Sequence, residues 1–492
     1  MKIARRPPVV RTLQPSNLPY LSGAWTPVAD EVDVEELDVV AGTLPRDLDG
    51  TYFRNTQNQL HQPPGRFHPF DGDGMIHAVT FRDGKARYRN RWVRTQGFMA
   101  EQEARGSLFG GLMEPPGLAK RRGRCVHPGL KDASSTDVVV HAGKLLSTYY
   151  QCGEAYRLDP ESLETIGLEA WTPIDGVSAH PKVDERTGEL LFFNYSLHPP
   201  YMHYGVVDRH NRLVHYVPVP LPGPRLPHDM AFTENYAILA DLPVYWDPEL
   251  IAKNVYAVRF YRQMKTRFAI LPRRGGSGAI RWFDAAPTYV LHWLNAYEDG
   301  DDIVLDGYFQ EDPTPPPLEG APPGYGHMMA YLDLHSLKAR LHRWRFNLKT
   351  GQTEERRLSE EIVEFGMINQ RHTGRPYRYG YSAVGKKGMF LFTGLRKHDV
   401  ETGRMWSLDL APGEYASESP FAPRLGAKDE DDGYVVTFTI NETTGRSECL
   451  VIDAKRFDAG PVCRLALPHK LCSGTHSTWA SRAFIETGAV SD

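Results

Sequence analysis

Cysteine is scarce in this chain: there are five in 492 residues, an odd number, and no two are spaced as CxxC. A disulfide framework and a structural zinc site are therefore not expected. Long apolar runs are missing too, since nowhere do about 18 apolar residues follow one another, as a membrane-spanning helix requires. The basic start, MKIARRPPVV, leads into prolines and polar residues instead of an apolar core, so it does not read as a signal peptide. Charge of one sign is also lacking: 57 Lys+Arg stand against 61 Asp+Glu, a net charge of −4, and give no electrostatic case for a nucleic-acid partner. No GxxxxGK(S/T), HExxH or strand-turn-helix GxSxG pattern occurs, and the lone GGSG at 275–278 reads as a turn. These absences lead to the expectation of a reduced, cytoplasmic protein, with peripheral membrane contact still compatible.

What fills the chain is short apolar alternation broken by turns. KARYRNRWV (85–93), DVVVHAGKLLSTYY (137–150), GELLFFNY (188–195), DIVLDGYF (302–309), LHRWRFNL (341–348) and GYVVTFTIN (433–441) have the period of two that marks half-buried strands. FRDGKA (81–86), DERTGE (184–189), NLKTGQ (347–352), DVETGR (399–404) and NETTGR (441–446) place Gly where a hairpin needs positive φ. Hairpins along the whole length mean a meander, and a meander this long must hide its sheet edges. The expected architecture is an all-β propeller, although no strict repeat is visible and the blade count does not follow from the residues alone. The 44 Gly and 38 Pro then mark its corners and cap loops. One domain is expected over 35–482, with an N-terminal extension over 1–34 and a tail over 483–492, since no stretch has the composition of a long linker. DPELIAKNVYAVRFYRQMK (247–265) reads as a single inserted helix, with Asp as N-cap and Pro in its first turn.

Among 19 histidines, four stand out by context: His180 in VSAHPKVD, His228 in LPHDMAFTEN, His292 in YVLHWLNAYED and His476 in SGTHSTWAS. Their gaps are too wide for a finger or a helix-borne site and suit one ligand delivered by each of several blades to a shared axis. Neutral imidazole binds Fe, Zn, Cu or Ni and needs its second ring nitrogen tied to a carboxylate or carbonyl. Glu364 in VEFGMIN and Glu418 in SESPFAPR are candidate partners.

The chain resembles the carotenoid cleavage oxygenases, a family that also includes lignostilbene-cleaving and isoeugenol-cleaving enzymes and the retinoid isomerase. The resemblance is carried by GTLPRDLDGTYFRNTQNQ (42–59), FDGDGMIHAVTFRDGKARYRNRWVRT (70–95) and YRLDPESLET (156–165). It continues through SAHPKVDERTGELLFF (178–193), HDMAFTENY (228–236), APTYVLHWLNAYEDGDDIVLDGYF (286–309), the EFGMIN segment and SESPFAPR to EDDGY (417–434). It implies a seven-bladed β-propeller with loop and short helical caps over an axial Fe(II) held by His180, His228, His292 and His476. Three outer glutamates are implied as well; Glu364 and Glu418 match two of them. The third position falls just before Cys152-Gly153, where the family has Glu-Gly-Gly and this chain has Gln151, unless the acid lies elsewhere, such as Glu154. An amide there removes one negative charge, so a less electron-rich iron with weaker O₂ activation is expected.

The implied reaction is oxidative cleavage of a C=C bond by O₂ to two carbonyl products, with a lipophilic polyene or aryl-alkene substrate and no separate acid or base. Relatives that cleave hydroxystilbenes grip the phenol with a Lys before the first outer Glu and a Tyr upstream. This chain has Tyr150 at that place, and GLMEPPGLAK (111–120) lacks a tyrosine, which favours a carotenoid or apocarotenoid over a stilbene or phenylpropenoid. An isomerase or hydrolase on the same metal is the other alternative. The stretch 106–124 is apolar and then basic. Leu108, Phe109, Leu112 and Met113 could dip into a bilayer while Lys120, Arg121, Arg122 and Arg124 meet anionic head groups; the alternative is a cap loop packed on the propeller.

Overall fold

The five glycine-bearing turns expected from the sequence all close β-hairpins; in three of them Gly84, Gly351 and Gly403 adopt φ of +75°. Side chains at the head of these turns help to set them. Asn347 Oδ1 accepts the backbone N–H groups of Lys349 and Thr350, and Asp399 Oδ1 those of Glu401 and Thr402. Alternating segments on either side become the strands: Glu189–Tyr195, Asp302–Gln310, Ala339–Asn347 and Gly433–Asn441 among them.

The computed structural model describes residues 1–489 apart from 115, 122, 124–128, 152, 173–175, 248, 251–252 and 254–257. Five four-stranded and two six-stranded sheets make the seven blades of a β-propeller. The ring is closed by both ends of the chain. Ser477–Ser481 becomes the innermost strand of the first blade by pairing with Gly50–Asn58, and Val39–Gly42 becomes the outer strand of the last by pairing with Pro461–Ala466. Closure of this kind removes the edges at which the first and last blades would otherwise part.

The first 34 residues do not stand apart. Ala4–Arg5 and Val32–Val34 extend the first sheet, and Tyr20, Leu21 and Trp25 are buried in the largest apolar cluster. Trp25 Nε1 donates to the Phe390 carbonyl at 3.1 Å while the two rings stack at 5.8 Å. At the other end the helix Arg482–Thr487, capped by Ser481, buries Phe484 against the second blade.

The helix expected over 247–265 is corrected by the structure. Val258–Phe260 is a strand, paired antiparallel with Val244–Trp246, and a turn follows in which Met264 N–H reaches the Tyr261 carbonyl. Val258-Arg259-Phe260 is itself an alternating triplet, and pairing satisfies its backbone where the helical pattern ends. Asp247 does cap the backbone N–H groups of Glu249 and Leu250. Residues 248, 251–252 and 254–257 of that stretch lie outside the described residues.

Candidate metal centre

Every blade delivers one polar side chain to the axis, from a residue in or just before its innermost strand. Around the ring these are His476 before Ser477–Ser481, Asp137 before Val138–His141, His180 before Lys182–Asp184, and His228 before Ala231–Phe232. His292 before Trp293–Asp299, Glu364 within Val363–Ile368, and Glu418 before Phe421–Pro423 complete the circuit. Residues far apart in sequence meet there.

The ligand nitrogens of His180, His228, His292 and His476 lie within 4.8 Å of one another. Two metal–nitrogen bonds of about 2.1 Å each reach across about 4.2 Å, so an inward shift of some tenths of an ångström brings the most distant pair onto one ion. The His180 and His228 Nε2 atoms face each other at 3.2 Å, and the buried His292 Nε2 has no hydrogen-bond partner. Three of the rings are anchored from behind through Nδ1: His180 to Asp137 Oδ2 at 2.8 Å, His292 to Glu364 Oε2 at 2.6 Å, and His476 to Glu418 Oε1 at 3.1 Å. Anchoring Nδ1 fixes the tautomer that turns Nε2 inward.

Burial, reinforced by the neighbouring rings, holds the pKa of His180, His228 and His292 well below the usual imidazole value, so these rings are neutral, as metal ligands must be. For His476 burial acts in the same direction, but the Glu418 carboxylate outweighs it and raises the pKa. Burial also lifts Asp137 to about 7 and Glu364 to about 8. Carboxylates massed behind neutral rings are what a divalent cation at the centre would stabilise, so the donor set fits such an ion.

Two parts of this site differ from expectation or were not visible in the sequence. Gln151 is buried, yet its Oε1 accepts no hydrogen bond, and among the described residues Glu154 makes none to any of the four rings. The third carboxylate within hydrogen-bond distance of one of the rings is that of Asp137, which comes from the second blade. A signal existed: Asp137 directly precedes the apolar run Val138–His141, the same place that His292 and His476 occupy before their own strands. His228 is the one ring with no acid behind it among the described residues. Its chain neighbour Asp229 is engaged elsewhere, by Lys182 Nζ at 2.7 Å and by the Trp293 backbone N–H at 2.9 Å.

The two sides of the cluster differ in character. Along the inner strands a cavity of about 140 Å³ runs from His180, His292 and His476 toward Glu185 and Gln370. On the other side the rings meet an aromatic wall. Phe365 lies 4.7 Å from His292 and 5.1 Å from His476, and Tyr150 lies 6.2 Å from His228. Phe390 and Phe70 continue the wall from Phe365 to Tyr150 at spacings of 5.6, 5.9 and 5.8 Å. Phe365 is held at φ +55°, a region that bulky residues rarely occupy, where the strand bulges between Glu364 and Met367.

The segment with Leu108, Phe109, Leu112 and Met113 is fastened to the cap. Phe109 is buried, Met113 packs on the main core, and the backbone N–H groups of Leu108 and Leu112 donate to Glu101 and Asp71. Leu118, Lys120 and Arg121 are exposed, while Arg122 and Arg124 lie outside the described residues. Among the described residues no helix is long and apolar enough to cross a membrane.

Comparison with known proteins agrees with this geometry. Residues 25–481 match the model of the family described as retinal pigment epithelial membrane protein. The carotenoid 9,10(9′,10′)-cleavage dioxygenase of Crocus sativus is 35% identical over 490 residues, covering 93% of this chain and 88% of that one. The lignostilbene dioxygenase of Pseudomonas brassicacearum superposes with a TM-score of 0.83 at 25% identity, over 96% of this chain and 100% of that one. A cobalt-substituted apocarotenoid oxygenase of Synechocystis does so with a TM-score of 0.78 at 26% identity, over 92% and 96%. A match along the whole propeller, joined to four imidazoles on its axis, makes the chain an enzyme of the carotenoid cleavage oxygenase family.

Proposed function

We propose that this chain is a non-haem Fe(II)-dependent dioxygenase that cleaves a C=C bond of a carotenoid or apocarotenoid with O₂, giving two carbonyl products. The observation that carries the reading is the cluster of four imidazole nitrogens within 4.8 Å, set against an aromatic wall. His180, His228, His292 and His476 would hold the metal. Fe(II) bound there supplies the activation of dioxygen.

The chain's own residues do the rest by positioning. Asp137, Glu364 and Glu418 hold three rings in the tautomer that faces the centre. Adding both oxygen atoms of O₂ across a cleaved C=C bond gives two C=O groups with no net proton. A general acid or base is therefore not required. Phe365, Phe390, Phe70 and Tyr150 offer flat, apolar surfaces that exclude water and lay a conjugated chain beside the rings. Recognition of this kind reads shape and apolar area, as a polyene presents.

A second reading, cleavage of a stilbene or phenylpropenoid alkene, is favoured by the likeness to the lignostilbene dioxygenase. The deciding experiment is anaerobic purification with metal analysis, followed by oxygen uptake with β-carotene, apocarotenals, resveratrol and isoeugenol. Uptake with the polyenes alone supports the first reading, and uptake with the aryl alkenes alone replaces it. Labelled dioxygen appearing in both carbonyl products separates a dioxygenase from an isomerase or hydrolase on the same site. Exposed Leu118 beside Lys120 and Arg121 would serve a lipophilic substrate by touching an anionic bilayer. Absence of co-sedimentation with anionic vesicles removes that part of the proposal.

A further inference from the structure

We infer that Asp137 is a positioning residue of the metal site, supplying from the second blade, to His180, the carboxylate that is missing at Gln151. The inference rests on the four-imidazole metal reading above and adds to it which residues set the field of that metal in this chain.

Three observations support it. First, the contact is direct and doubly held: Oδ2 lies 2.8 Å from His180 Nδ1, and Oδ1 accepts the Val138 backbone N–H at 2.7 Å. Second, Asp137 obeys the same placement as the other two acids. Glu364 stands on the blade beside that of His292, Glu418 on the blade beside that of His476, and Asp137 on the blade beside that of His180. Each acid reaches one ring across one blade boundary. Third, the blade of His228 is flanked by the blades of His180 and His292, which bring imidazoles to the axis, and among the described residues no acid is hydrogen-bonded to the His228 ring. Gln151 does not compensate, because its buried Oε1 accepts nothing, and Asp229 is engaged by Lys182.

Among the described residues the site thus keeps three carboxylates but distributes them so that His228 is the ring without one. A carboxylate behind an imidazole raises its basicity and fixes its orientation. His228 is accordingly the weakest donor of the four and His180 one of the three strong ones.

The test measures metal binding directly. Metal-free protein is titrated with Co(II), and anaerobically with Fe(II), against a chromophoric chelator, and the Co(II) ligand-field spectrum is recorded. Asp137→Ala is expected to weaken binding by about 10- to 100-fold, the usual effect of removing a carboxylate behind a ligand, and to shift the Co(II) bands. Asp137→Asn keeps the shape and an acceptor oxygen, loses the charge, and is expected to weaken binding less; Asp137→Glu is expected to recover part of the affinity. Should the alanine variant fail to fold, the near-isosteric Asp137→Asn carries the test alone. Parent-like affinity and spectrum in Asp137→Asn and Asp137→Ala would overturn the inference while leaving the metal site standing. A parent protein that takes up no metal would refute the metal reading itself, and this inference with it.

Discussion

Gly366 sits behind the metal site, and the fold leaves it no room for a side chain. A Cβ built there would come 1.8 Å from Tyr308 Oη and 2.7 Å from both Tyr308 Cζ and Leu294 Cδ1. Ordinary contact begins at 3.4 Å, so in Gly366→Ala the tyrosine oxygen must retreat by about 1.6 Å. That oxygen is hydrogen-bonded to Ser382 Oγ at 2.7 Å, and both residues are buried. Overpacking of this order costs about 1–3 kcal/mol, and leaving two buried hydroxyls unpaired costs about 1–3 kcal/mol more. The expected loss is therefore about 2–6 kcal/mol, read as a lowered urea midpoint of the metal-free protein. The strand bulges at this point and presents Glu364 to His292, so metal affinity is expected to fall as well. Tyr308→Phe removes the clashing oxygen but leaves the ring carbon. Combined with Gly366→Ala it should give a favourable coupling of about 0.5–3 kcal/mol. Stability of Gly366→Ala within about 0.5 kcal/mol of the parent would refute the reasoning.

Removing the Phe365 ring takes away the surface that covers His292 and His476, and Phe365→Ala is expected to raise KM for the alkene by about 10-fold or more, the burial value of one aromatic side chain. Metal content should be unchanged, and an unaltered KM would show that the wall does not contact substrate. His398 is buried with Nε2 unpartnered, and burial lowers its pKa to about 4. Its folded value lies below its unfolded one of about 6.5, so its stability contribution is intact above pH 6.5 and is lost as pH falls toward 4, amounting to about 2 kcal/mol at pH 5. Unfolding of His398→Gln between pH 7 and pH 5 should accordingly lose less stability than the parent, and equal pH slopes would contradict this. Trp25→Ala should destabilise by about 3–5 kcal/mol through the cavity left beside Phe390, a value that an independent N-terminal extension would not produce.

Much of the propeller was legible in the sequence because its information is local. A turn such as Asn347 to Gln352 is decided by an Asn that bonds the next backbone N–H groups and a Gly that tolerates positive φ, both within a few residues. Alternation over Glu189–Tyr195 likewise dictates a strand with one face inward. The same local logic misled at 247–265, where helical spacing and an N-cap were present but Val258–Phe260 found a strand partner in Val244–Trp246. The histidines were picked out by their short contexts and by resemblance, and the fold brings all four together.

Other features arise only between distant segments. That Trp25 belongs to the core and that Ser477–Ser481 completes the first blade depends on ring closure, which joins the two ends of the chain. Asp137 and His180 are 43 residues apart and meet because their blades are neighbours, whereas Gln151, suggested by motif position, accepts no bond. By itself the sequence determined the hairpins, the strand periodicity and the residue types able to bind a metal, since these follow from backbone conformation and side-chain chemistry over a few residues. Only the tertiary structure decided which acid stands behind which imidazole. A hydrogen bond requires its partners within about 3 Å, and the order of blades around the axis, not distance along the chain, sets which side chains come that close.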